Sequence, residues 1–67
     1  MTFTIYTHDS WGLVTVGHYR SLEEARVVFQ ALCNDPWYKD DGTVKGVELV
    51  QDAEGQAGFR IDWFPFQ

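Results

Sequence analysis

The stretch LVTVGHYRSLEEARVVFQALCNDP, residues 13–36, changes its hydrophobic period halfway along, and that change decides the fold. Before Arg20 the residues alternate, with Val14, Val16 and His18 on one side and Leu13, Thr15, Gly17 and Tyr19 on the other, as in a strand. From Ser21 the pattern follows a 3.6-residue period. Leu22, Ala25, Val28, Phe29, Leu32 and Cys33 form one stripe, with Glu23, Glu24, Val27, Gln30 and Ala31 around the rest. Ser21-Leu22-Glu23-Glu24 is a capping-box pattern, with a hydroxyl for the Glu24 amide and a carboxylate to reach back. Asn34-Asp35-Pro36 is a stop signal, because Asn tolerates the left-handed position and the residue before Pro avoids the helical region. A helix over residues 22–33 is therefore predicted, between elements of period two.

Working back, residues 2–7 (TFTIYT) alternate Phe3 and Ile5 against Thr4 and Tyr6 and read as a first strand. Pairing Ile5 with Val16, Phe3 with His18, Thr7 with Val14 and His8 with Leu13 gathers apolar residues on one face. The four residues left over, Asp9-Ser10-Trp11-Gly12, suit a hairpin loop in which Gly supplies a positive φ. This makes THDSWG a turn rather than a catalytic group. A nucleophilic triad needs imidazole held between hydroxyl and carboxylate, whereas His8, Asp9 and Ser10 are adjacent and point in different directions around a turn.

Working forward, residues 37–42 form a connection ending in the turn Asp40-Asp41-Gly42, and residues 44–51 (VKGVELVQ) resume a strand. After a polar loop at residues 52–56, a fourth strand at 57–64 alternates Phe59, Ile61 and Trp63 against Arg60, Asp62 and Phe64. Pairing Leu49 with Phe59 and Val47 with Ile61 sets Glu48 opposite Arg60. The expected fold is α+β, in the order ββαββ: a four-stranded antiparallel sheet with one amphipathic helix packed on one face, in a single domain over residues 1–67. Periodicity leaves the strand order open.

In this arrangement the helix covers Phe3, Ile5, Val14, Val16, Val47, Leu49, Phe59, Ile61 and Trp63. The opposite face carries Thr4, Tyr6, Thr15, Tyr19, Glu48, Val50, Arg60 and Phe64, with Trp11 and residues 65–66 nearby. Aromatic and Arg side chains bury much area at little entropic cost, so Tyr6, Trp11, Tyr19, Val50, Arg60 and Phe64 are the candidate protein-binding residues.

Composition narrows the partners. Ten Asp and Glu against five Lys and Arg leave a net charge of −5, which repels phosphate backbones and anionic lipid, so neither nucleic acid nor membrane is an expected partner. The single cysteine, Cys33, excludes an internal disulfide and a cysteine-based zinc cage, and points to a reducing, cytoplasmic setting. The helix stripe makes Cys33 a buried hydrophobe rather than a reactive thiol. His18 reads as a structural histidine, and Asp40-Asp41-Gly42 and Asp52-Ala53-Glu54-Gly55 lack the alternating ligand spacing of a calcium loop. No cofactor or metal is expected. The leading expectation is a small non-catalytic interaction or regulatory module that binds a protein partner, or itself as a homodimer, through the aromatic face or an exposed strand edge. Its alternatives are a ligand-binding domain or enzyme with a site near the first hairpin loop, and an acidic inhibitor that competes for a nucleic-acid-binding surface.

Overall fold

The change of period at Ser21 is realised as a helix that starts where the capping pattern puts it. In the computed structural model of the protein, which describes residues 1–66 and only the backbone of residues 56 and 57, α1 spans Leu22–Cys33. The Glu24 amide donates to Ser21 Oγ at 3.1 Å, satisfying one of the free donors of the first turn. All six stripe residues reach the core: Ala25, Phe29 and Cys33 are buried, and Leu22, Val28 and Leu32 pack at its margin.

The helix ends differently from expectation. Asn34 lies at φ −101° and not in the left-handed region; its Nδ2 donates to the Gln30 carbonyl at 2.9 Å and its own amide donates there at 3.1 Å. Asp35 is extended, as a residue before proline must be, and this turns the chain out of the helix. The same Asp-Pro pair then starts a second helix where a plain connection was expected. Asp35 Oδ1 accepts the Trp37 amide at 2.8 Å, Pro36 needs no donor at the first helical position, and α2 runs over Pro36–Asp40.

Four strands, β1 (Phe3–Asp9), β2 (Gly12–Tyr19), β3 (Val44–Ala53) and β4 (Gln56–Pro65), form one antiparallel sheet in the order β2-β1-β3-β4. Strands β1 and β3 carry the most apolar inward residues and take the centre, where Ile5, Val47 and Leu49 are fully buried. The chain leaves β2 at one edge, passes through α1 and α2, and re-enters as β3 beyond β1, so β2 and β3 run parallel with β1 between them.

Both hairpins are tighter than expected, and their registers shift accordingly. In the first, Thr7↔Val14 and His8↔Leu13 pair as the sequence pattern requires, but Asp9↔Gly12 pairs too, leaving a two-residue turn of Ser10 and Trp11. Asp9 Oδ1 accepts the Trp11 amide at 2.8 Å, and Gly12 takes a φ of +127° that a side chain would oppose. Beyond Tyr6↔Thr15 a bulge at Val16 slips the ladder, so Ile5 opposes Gly17, Thr4 opposes His18 and Phe3 opposes Tyr19. The expected pairs Ile5 with Val16 and Phe3 with His18 are not formed. A slip of one residue exchanges faces, which carries Tyr19 to the helix side, where it folds over Gly17 and packs against the core.

In the second hairpin the turn shrinks to Glu54 and Gly55, and the strands extend through the expected loop. The register becomes Leu49↔Asp62, Glu48↔Trp63 and Val47↔Phe64, with irregularities between Leu49 and Val50 and between Gln51 and Ala53. The expected pairs Leu49 with Phe59, Val47 with Ile61 and Glu48 with Arg60 are replaced. Trp63 thereby moves to the open face and Phe64 to the helix side. Neighbouring Trp63 and Phe64 give β4 an apolar residue in either phase, so alternation alone does not choose between them.

Val14, Val16 and Phe59, expected in the core, are 50%, 36% and 62% exposed: Val14 and the bulged Val16 lie on one edge strand and Phe59 on the other.

Candidate functional site

The open face of the sheet is built from alternate residues of all four strands. At its centre Glu48 reaches two partners, one for each carboxylate oxygen. His8 Nε2 lies 2.8 Å from Oε1, and Arg60 Nε donates to Oε2 at 2.7 Å. The Glu48–Arg60 charge pair anticipated from the sequence thus exists, formed diagonally instead of directly across. Arg60 also lies over the Trp63 ring, 5.1 Å from its centroid, and the His8 ring meets Trp63 edge-on at 4.8 Å. The indole rests on Gly46, where a Cβ would collide with it. Burial alone pushes the Glu48 carboxyl up, but the hydrogen bonds and charges of Arg60 and His8 outweigh it and hold the group below the usual glutamate range.

A second network occupies the other end of this face. Thr4 Oγ1 donates to Asp52, 2.7 Å from Oδ2, and Thr2 Oγ1 donates to the same oxygen at 2.7 Å. The single Thr4 proton is committed to the carboxylate, so His18 donates from Nδ1 to Thr4 Oγ1 at 2.9 Å. Here a hydroxyl sits between imidazole and carboxylate, the reverse of a nucleophilic triad, and Thr4 is fully buried. Among the described residues, no buried side-chain nitrogen or oxygen of either network lacks a hydrogen-bond partner.

The three adjacent residues of the first hairpin diverge. His8 turns to Glu48, Asp9 binds the Trp11 amide, and Ser10 donates its amide to the Thr43 carbonyl at 2.9 Å. Cys33 is buried, and both that burial and the nearby Asp62 push its thiol up, away from the reactive thiolate. Among the described residues, no group of three or more His, Cys, Asp or Glu is placed to hold a metal ion, and no helix is long and apolar enough to cross a membrane.

The six candidate binding residues do not form one surface. Tyr6, Val50 and Arg60 share the open face, since Tyr6 opposes Glu48, and Val50 opposes both Thr4 and Arg60. Trp11 stands at the tip of the first hairpin, 82% exposed. Tyr19 and Phe64 lie on the helix side. Phe64 belongs there to a row of rings: it meets Phe66 edge-on at 5.5 Å, Phe66 stacks with Tyr38 at 6.1 Å, and Tyr38 meets Trp37 at 5.1 Å. Sequence reasoning missed this row because it rests on α2, whose Asp-Pro start signal was read only as a stop.

It also missed the edge strand as a set of particular residues. One side of β2 pairs with β1 and the other meets no strand among the described residues, and Leu13, Val14 and Val16 of β2 are 59%, 50% and 36% exposed. Residues 11–17 contain neither a charge nor a proline. Both edges carry register irregularities, one in β2 at Val16 and two in the opposite edge, β4, which also includes Arg60, Asp62 and Pro65, residues that discourage pairing. No protein family, curated protein or solved structure matches the chain, so what the site can do is read from its residues alone.

Proposed function

We propose that the protein is a small non-catalytic interaction module that binds a protein partner, or itself, through the free edge of β2. The observation that carries this reading is the run from Gly12 to Val16 on the edge strand: uncharged, without proline, and exposed, with one side of its backbone outside the sheet's pairing. Such an edge gains main-chain hydrogen bonds from any added strand, and its exposed Leu and Val supply apolar contact. The open face contributes less to binding, because its charged groups already satisfy one another and Trp63 is held between Gly46, His8 and Arg60. A non-catalytic role accords with the separate partners of His8, Asp9 and Ser10. The reading includes a reducing, cytoplasmic setting, supported by the buried lone thiol of Cys33.

The test uses immobilised wild-type protein beside a Leu13→Lys, Val14→Lys double variant whose far-UV spectrum is native. Proteins in a cell extract, and the free protein itself, are offered to both. Retention of a defined protein by the wild type and not by the variant is the expected result. Equal retention by the two, or no retention by either, overturns the reading.

A further inference from the structure

We propose that His18 accepts a phosphoryl group on Nε2 from a donor with a labile phosphorus–nitrogen bond. The network around the ring fixes which nitrogen reacts. Nδ1 carries the proton, because it donates to Thr4 Oγ1 at 2.9 Å while the Thr4 proton goes to Asp52, 2.7 Å from Oδ2. Asp52 is itself held by Thr2 Oγ1 at 2.7 Å. Nε2 is left with the lone pair, has no protein partner among the described residues, and belongs to an exposed side chain.

Two features of the fold build this arrangement. The bulge at Val16 turns His18 to the open face: an unbroken ladder from Tyr6↔Thr15 would set Gly17 against Thr4 and His18 against Phe3, on the helix side. Thr4 puts a hydroxyl at a fully buried position, and its partners there are the Asp52 carboxylate and the His18 ring. Residues of β1, β2 and β3 thus combine to hold one imidazole in one tautomer. His8 is placed differently, since its Nε2 is taken by Glu48 and its ring is partly buried, edge-on to Trp63.

Unconstrained histidine prefers its proton on Nε2, which leaves Nδ1 as the commoner nucleophile. The bond to Thr4 reverses that preference, so Nε2 is the nucleophile in every neutral molecule. Its lone pair attacks phosphorus in line, the donor's phosphorus–nitrogen bond breaks, and the electron pair departs on the donor nitrogen, which is already protonated and leaves as neutral ammonia or amine. The ring, bonded to phosphorus at Nε2 and still protonated at Nδ1, is then cationic, with the Thr4 hydroxyl and the Asp52 carboxylate on its charged side. An exposed ring on an open sheet face admits in-line approach from solvent. A phosphoryl group on Nε2 persists at neutral pH, whereas an acyl group on imidazole is soon lost to water, and this selects phosphoryl over acyl donors.

Phosphoramidate offered to the purified chain at about pH 8, where histidine is ordinarily neutral, tests the proposal. The expected product carries one phosphoryl group, on His18 by peptide mapping and on Nε2 by phosphorus–proton correlation NMR. Thr4→Val, which keeps the net charge and nearly the shape, should slow the reaction several-fold and admit product on Nδ1. Asp52→Asn makes the chain less negative and would by itself favour an anionic reagent, yet it should slow the reaction too, because the amide can donate to Thr4 and so free the Thr4 proton for Nδ1. Either variant with a native far-UV spectrum suffices for the comparison, and the position of the phosphoryl group in the wild type needs neither. No reaction, reaction first at His8, product on Nδ1 of His18 in the wild type, or an undiminished rate in a natively folded variant each overturns the assignment.

Discussion

Replacing Glu48 by glutamine keeps the shape of the side chain and removes one charge, which isolates the ionic part of the open face. A hydrogen bond to a charged group contributes about 1.5 to 3 kcal/mol when shielded from water, and an exposed pair about 0.2 to 1 kcal/mol. The His8 arm belongs near the lower end of the first range, since the two side chains are 29% and 13% exposed. The Arg60 arm belongs to the second, because Arg60 is 52% exposed and finds water when released. Together they predict a loss of about 2 kcal/mol in Glu48→Gln. A domain of this size holds only about 3 to 5 kcal/mol, so the midpoint of thermal unfolding should fall by about 8 to 16 °C.

The pH dependence has a definite sign. Glu48 is held below its ordinary range in the folded state, so its contribution is complete above the unfolded value of about 4.3 and is lost as pH falls through the lower folded value. The stability gap between wild type and Glu48→Gln should therefore narrow between about pH 5 and about pH 3. Urea unfolding followed by tryptophan fluorescence measures both quantities. A gap under about 0.3 kcal/mol at neutral pH, or one that widens over that acid range, refutes the account of Glu48 as the ionic centre of the face.

Other consequences follow from burial and close approach. Leu49→Ala, at a fully buried position, should cost about 2 to 5 kcal/mol and leave the chain largely unfolded by far-UV circular dichroism, whereas Val27→Ala, at a site 67% exposed, should stay within about 0.5 kcal/mol of wild type. Gly46→Ala places a methyl group against the Trp63 ring and the Phe64 carbonyl; about 1 to 3 kcal/mol of stability should be lost, with a shift in tryptophan emission, and an unchanged emission maximum would contradict the stacking of the indole on Gly46. The Cys33 thiol, buried and raised, should react with an aromatic disulfide reagent only as fast as the chain opens, and rapid reaction of the native protein would contradict its placement in the core.

What was legible in the sequence was local. The span of α1, its Ser21 cap and its six-residue stripe follow from a period and a pattern contained within a dozen neighbours, and the structure realises them without change. The four strands and the two hairpins are legible for the same reason, through alternation broken by turn residues. Asp35-Pro36 carried a local signal for α2 as well, a cap followed by proline, which its role as a stop concealed.

Strand order, register and face belong to the tertiary structure, because each depends on residues far apart in the chain. One bulge at Val16 and the tight turn at Glu54 and Gly55 decide whether Tyr19, Trp63 and Phe64 look toward the helix or away from it, since a strand presents alternate residues to opposite faces and a slip of one residue reverses them. The candidate binding surface inherits that dependence. The sequence by itself determined how many elements form and which side chains the helix contributes to the core; packing β1 beside β3 decided which strand remained an edge, and so where the exposed, uncharged run of β2 is presented.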